Sequence, residues 1–142
     1  MRSRLAIIVV SALATVILAA PACSSGGDAA GSDAGGWTKV DATTLNDEMA
    51  TGDVFLVNVH VPYEGEIPGT DAFIPYSEIL QHLNELPSDP STLVLYCRSG
   101  NMSTQAAQDL VNAGISGFSE LEGGFYSWED AGLPLEMDPS QT

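Results

Sequence analysis

The chain has 142 residues, of which 44% are hydrophobic, with 19 acidic against 4 basic side chains and a formal charge of −15. That length holds one domain with a real core and leaves no room for two. The acidic balance repels phosphate backbones, which argues against a nucleic-acid partner and for a strongly solvated surface.

Residues 1–22 read as an export signal. Arg2 and Arg4 precede an apolar run from Leu5 to Ala20, interrupted only by Ser11 and Thr15, and Ala20-Pro21-Ala22 leads into Cys23. The run is short for a spanning helix and has no basic stop after it, so an uncleaved anchor is the lesser alternative. Cys23, followed by Ser24-Ser25-Gly26-Gly27, resembles the lipidated cysteine of a bacterial lipoprotein signal. Ala20 stands where that signal usually has leucine, and Ala20-Pro21-Ala22 also satisfies an ordinary Ala-x-Ala cut, which would give a secreted protein beginning at Cys23. Several acyl chains on Cys23 would make the membrane a partner and place the protein outside the cytoplasm, lipid-anchored. Loss of Arg2 and Arg4 with the signal leaves Lys39 and Arg98 against all 19 acidic residues.

Residues 23–36 are almost wholly Ser, Gly, Ala and Asp and form a flexible tether; the folded domain is expected over 37–142. Trp37 to Val40 alternates like a short edge strand. Thr43 or Thr44 is positioned to cap a helix that runs through Met49 and stops at Gly52. Val54 to Val59 reads as a central strand, His60 to Thr70 as a Pro- and Gly-rich loop, and Ser77 to Leu83 as a short helix with Ile79, Leu80 and Leu83 apolar. His82 within it is expected to be exposed. Strand 92–96 ends at Cys97, and helix 102–113 follows, with Met102, Ala106, Ala107, Leu110 and Val111 on one face. A strand from Phe118 to Leu121, a Gly123-Gly124 turn and a helix from Phe125 to Ala131 complete the order. Strands alternating with helices predict an α/β fold, a parallel sheet covered on both faces, with ligands at the carboxyl ends of its strands.

Cys97-Arg98-Ser99-Gly100-Asn101-Met102-Ser103 joins a strand to a helix start. Unpaired amides at a helix start stabilise a thiolate or an oxyanion held among them. A buried structural thiol is the plainer reading, against which stand the polar residues on both sides of Gly100. With Cys23 lipidated, Cys97 has no disulfide partner, and a Cys23–Cys97 bridge would tie the tether to the sheet.

The chain resembles a rhodanese-type sulfurtransferase domain over about residues 37–137. The likeness is carried by the Cys97–Ser103 loop, by Leu121-Glu122-Gly123-Gly124-Phe125-Tyr126-Ser127-Trp128 with Ala131-Gly132-Leu133-Pro134, and more loosely by Val57-Asn58-Val59-His60 and Gly65-Glu66-Ile67-Pro68-Gly69. The resemblance implies a single rhodanese-like domain, a persulfide carried on Cys97, and a cradle of amides around it. It makes Trp128 a core residue. Asn58, His60 and Glu66 stand where the family usually has Asp, Arg and His, so a common supporting ion pair is missing or rebuilt.

The implied chemistry is two-step sulfur transfer, from a small donor such as thiosulfate or polysulfide, through Cys97, to a thiol or cyanide acceptor, with no cofactor and no metal. Amides from Arg98 to Ser103 would bind the donor, with Arg98, Ser99, Gly100, Asn101, Met102 and Ser103 as the binding set. Met102 replaces a residue that is often basic there, which weakens binding of an anionic donor. His60 has two roles open to it, base near Cys97 or support for the loop. Two rivals stand. A phosphatase would need Cys-x5-Arg, and Ser103 occupies the arginine's place. A binding module for a sulfur species or a protein partner, without turnover, would need only the fold.

Overall fold

The computed structural model describes residues 35–141; the export segment, Cys23 and most of the tether lie outside them. Five strands form one sheet, β1 (Thr38–Val40), β2 (Phe55–Asn58), β3 (Ala72–Phe73), β4 (Leu93–Tyr96) and β5 (Ser119–Leu121), in the order β1-β5-β4-β2-β3 with every pairing parallel. The helices are α1 (Ala42–Thr51), α2 (Asn101–Asn112) and α3 (Gly124–Asp130).

All four residues of β4 are buried, as an unbroken apolar run requires of a central strand with both faces covered. Strand alternation sorts its side chains into two cores. Leu93 and Leu95 join Val57, Val59, Ala106, Ala107 and Leu110 under α2, whereas Val94 and Tyr96 join Leu45, Leu56, Phe125 and Trp128 under α1 and α3. Cys97 continues the first series, so its side chain lies on the α2 side of the sheet. Trp128 is buried as expected and donates its indole N–H to the Pro134 carbonyl at 2.9 Å.

Three local expectations are corrected. The cap of α1 is Asp41, not Thr43 or Thr44: its carboxylate accepts from the amides of Thr43 and Thr44 and from the Thr44 hydroxyl. Those donors hold its pKa below the usual carboxylate value. Ser77 to Leu83 is not an α-helix but two 3-10 segments, Tyr76–Gln81 and Leu83–Glu85. The break at His82 puts Leu83 in a different segment from Ile79 and Leu80. Ile79 is buried while Leu80 and Leu83 stay 45% and 39% exposed. His82 is half-buried rather than exposed, and its hydrogen bond to Glu85 raises its pKa. The two-residue strand β3, unanticipated, is too short to carry a periodic signal.

The start of α3 touches the end of β4 closely. Gly124 has φ +57°, and a Cβ there would lie 2.0 Å from the Cys97 carbonyl oxygen. The next two amides, of Phe125 and Tyr126, donate to the carbonyls of Cys97 (3.0 Å) and Arg98 (3.2 Å). Gly132 also has positive φ, +77°, but open space around it. Gly124→Ala is therefore expected to lower the urea midpoint of unfolding by the equivalent of at least ~2 kcal/mol more than Gly132→Ala, which carries only the left-handed backbone cost. Equal losses would show that the backbone contact is not what Gly124 serves.

Candidate active site

Cys97 follows the last residue of β4, at the carboxyl end of the sheet. Gly100, with φ +90°, turns the chain into α2 and sends its own amide back to the sulfur, N–H to Sγ at 3.1 Å. Only a residue free of Cβ strain takes that conformation readily. One turn into α2, Ser103 Oγ lies 3.4 Å from Sγ. Behind it stands Glu120 of β5, buried to 1% exposure, which accepts from the hydroxyls of Ser103 (2.7 Å) and Thr104 (2.9 Å) on Oε1 and from the Trp37 indole (2.8 Å) on Oε2. A buried carboxylate needs such donors to offset the water it has lost.

The structure distributes the expected binding set unevenly. Gly100 and Ser103 reach the sulfur. Ser99 and Asn101 are exposed, and Met102 is half-buried against the core cluster that contains Cys97. The amides of Asn101, Met102 and Ser103 open α2 and so have no acceptor within the helix. The expected cradle running from Arg98 to Ser103 reduces, in hydrogen bonds to Sγ, to the Gly100 amide, because that turn alone brings an N–H against the sulfur. Cys97 itself is 1% exposed, so the thiol forms the floor beneath the loop rather than an open rim. It is a free cysteine.

Arg98 turns outward. Its Nη1 meets both oxygens of Glu64, at 2.9 and 3.2 Å, and its guanidinium lies over the Tyr126 ring at 5.4 Å. Glu64 also holds His60, Nε2 to Oε2 at 2.9 Å, and the His60 ring meets Phe125 edge-on. The His60 bond, then the Arg98 charge, keeps the Glu64 carboxyl below its usual pKa. The ion pair here is Glu64–Arg98, and His60, hydrogen-bonded to the same carboxylate, braces the loop. Asn58, buried, uses its amide for both ends of this segment: Oδ1 accepts from the His60 amide (3.0 Å) and Nδ2 donates to the Gly65 carbonyl (2.9 Å). Glu66 is half-buried, and desolvation pushes its carboxyl above the usual value.

Glu120, Glu64 and Trp37 also belong to the site, and nothing in the local sequence of Glu64 or Trp37 marks that role. For Glu120 one sign existed: an acidic residue inside the otherwise packed run Phe118-Ser119-Glu120-Leu121 breaks the local rule for a central strand, as functional positions do. Beside the loop, a hollow of about 490 Å³ is lined by Lys39, Ser99, Asn101, Thr104, Glu120 and Glu122.

Residues 41–131 match the family model of the rhodanese-like domain. A sulfurtransferase of Allochromatium vinosum is 37% identical over 102 residues, covering 68% of this chain and 92% of its own length. An uncharacterized Synechocystis protein is 44% identical over 94 residues, 64% of this chain; the match spans about half, 51%, of that relative. Among solved structures, a rhodanese-related protein of Thermoplasma volcanium superposes with a TM-score of 0.59 at 25% identity, covering 70% of this chain and 98% of the other. With a parallel five-stranded sheet and a cysteine loop opening α2, this chain belongs to the rhodanese-like domain family.

Proposed function

We propose that the protein is a sulfurtransferase that carries sulfane sulfur as a persulfide on Cys97. The observation that carries this reading is the Gly100 amide 3.1 Å from Sγ at the carboxyl end of β4. A fixed main-chain donor beside the sulfur stabilises a thiolate formed there. The name of the Allochromatium relative supports the same class of chemistry.

In the first step the Cys97 thiolate attacks the outer sulfur of the donor. Its electron pair forms the S–S bond, and the donor leaves with the electrons of the bond that breaks, as sulfite when the donor is thiosulfate. In the second step a nucleophile, cyanide or a thiolate, takes the outer sulfur and Cys97 leaves as thiolate. The Gly100 amide stabilises negative charge on sulfur at each stage. Arg98, engaged by Glu64 and Tyr126, contributes less to an anionic donor than an unpaired arginine would. This favours a donor of lower charge, such as a low-molecular persulfide, over a dianion such as thiosulfate. Lipid on Cys23 would hold the domain at the outer face of a membrane, at the end of the tether; the sequence of residues 1–27 supports this part of the proposal.

The chain lacking residues 1–22, given thiosulfate or polysulfide and cyanide, is expected to form thiocyanate and to show an adduct of about 32 Da on the Cys97 peptide. Cys97→Ser should lower turnover at least ~100-fold. Full activity in that variant would end the proposal, and a wild type with neither turnover nor adduct would favour a binding module. In bacterial cells expressing the full chain, radioactive palmitate should label wild type and spare Cys23→Ala; equal labelling of the two would refute the anchor.

A further inference from the structure

Glu120 is the only acidic residue buried among the described residues. Ser103, between it and the sulfur, has one hydroxyl proton and three acceptors within reach: Glu120 Oε1 at 2.7 Å, the Gly100 carbonyl at 3.2 Å and Cys97 Sγ at 3.4 Å. An ionised carboxylate wins that competition, since a charge-assisted bond is the shorter and the stronger. The Ser103 oxygen then offers a lone pair to the sulfur, and the Cys97 S–H donates to it. Ionising the thiol while Glu120 stays ionised would leave two anions separated by one hydroxyl in the interior, where their repulsion is poorly screened.

We infer that Cys97 and Glu120 share one proton through the Ser103 hydroxyl. As the S–H bond breaks, its proton forms a new O–H bond on Ser103, and the former Ser103 proton forms an O–H bond on Glu120 Oε1. Thiol and carboxylate become thiolate and carboxylic acid, with no electron transferred and no change in net charge. The new thiolate then has two donors, the Gly100 amide and the Ser103 hydroxyl. Trp37, holding Oε2 from the chain just before β1, and Thr104, on Oε1 from α2, fix the carboxylate so that Oε1 faces Ser103. The other charged groups beside it are Lys39, in register on β1, and Glu122 at the end of β5, both lining the same hollow. Glu120 is a positioning residue that acts on the sulfur through Ser103, and the inference rests on Cys97 being the reactive thiol.

The test is the rate of alkylation of Cys97 by iodoacetamide in the full chain, from about pH 4 to about pH 10, read by mass spectrometry on the peptide containing Cys97. No sulfur donor is used, so absence of transferase activity would leave this readout intact. Glu120→Gln should displace the wild-type profile to lower pH, because the thiolate then forms with no anion behind Ser103. In the Ser103→Ala background the same substitution should move the profile little. Superimposable wild-type and Glu120→Gln profiles would overturn the inference. So would an equal Glu120→Gln displacement with and without Ser103, which would assign the effect to charge acting through space. Where Glu120→Gln does not fold, Ser103→Ala decides: a profile displaced from wild type supports the shared proton, and one superimposable on wild type refutes it.

Discussion

The site depends on a main-chain contact, the meeting of the start of α3 with the end of β4. A helix start has amides without acceptors, and a strand that has run past its last partner has carbonyls without donors. Here each satisfies the other, Phe125 to Cys97 and Tyr126 to Arg98, and the approach is possible because Gly124 has no Cβ to strike the Cys97 carbonyl. Holding that carbonyl fixes the peptide plane from which the loop departs. Strand alternation has already put the sulfur on the α2 side, and the loop leaving that plane brings the Gly100 amide to it.

From that plane the loop is braced on two sides by groups of opposite accessibility. On the outside, Glu64 gathers His60 and Arg98, and Tyr126 lies under the guanidinium. On the inside, Glu120 gathers Trp37, Ser103 and Thr104. The outer brace is solvent-screened and adjustable. The inner one is dry, so its hydrogen bonds hold their geometry and its charge acts strongly on whatever lies beside it.

The elements that the sequence made legible are those whose pattern is local. Leu93 to Tyr96 is apolar throughout, Ala106, Ala107 and Leu110 recur on one helical face, and Gly123-Gly124 precedes a buried Trp128. What escaped was decided by geometry or by distant contacts. A break at His82 put Leu83 in a different segment from Ile79, and two residues of β3 leave no period to read. At the site, Cys97, Gly100 and Ser103 were legible as one loop. Their supports were not: Trp37 reaches Glu120 across 83 positions and Arg98 reaches Glu64 across 34. A hydrogen bond between such distant residues leaves no trace in the spacing of either.

The acidity of the chain bears on how this loop attracts a substrate. Among the described residues the basic ones are Lys39 and Arg98, and the loop's own cation is engaged by Glu64. On the sulfurtransferase reading, attraction of an anionic sulfur species therefore rests chiefly on oriented main-chain N–H groups, whose partial charge neither titrates nor depends on a mobile side chain. Main-chain dipoles act over the first few ångströms and do little to draw a dianion through an acidic exterior. A donor with less charge, or one delivered by contact with another molecule's thiol, meets less repulsion on approach and the same amide at the end of it. On the sulfurtransferase reading, the acidic surface and the single engaged arginine act in the same direction, selecting by charge before the sulfur is reached.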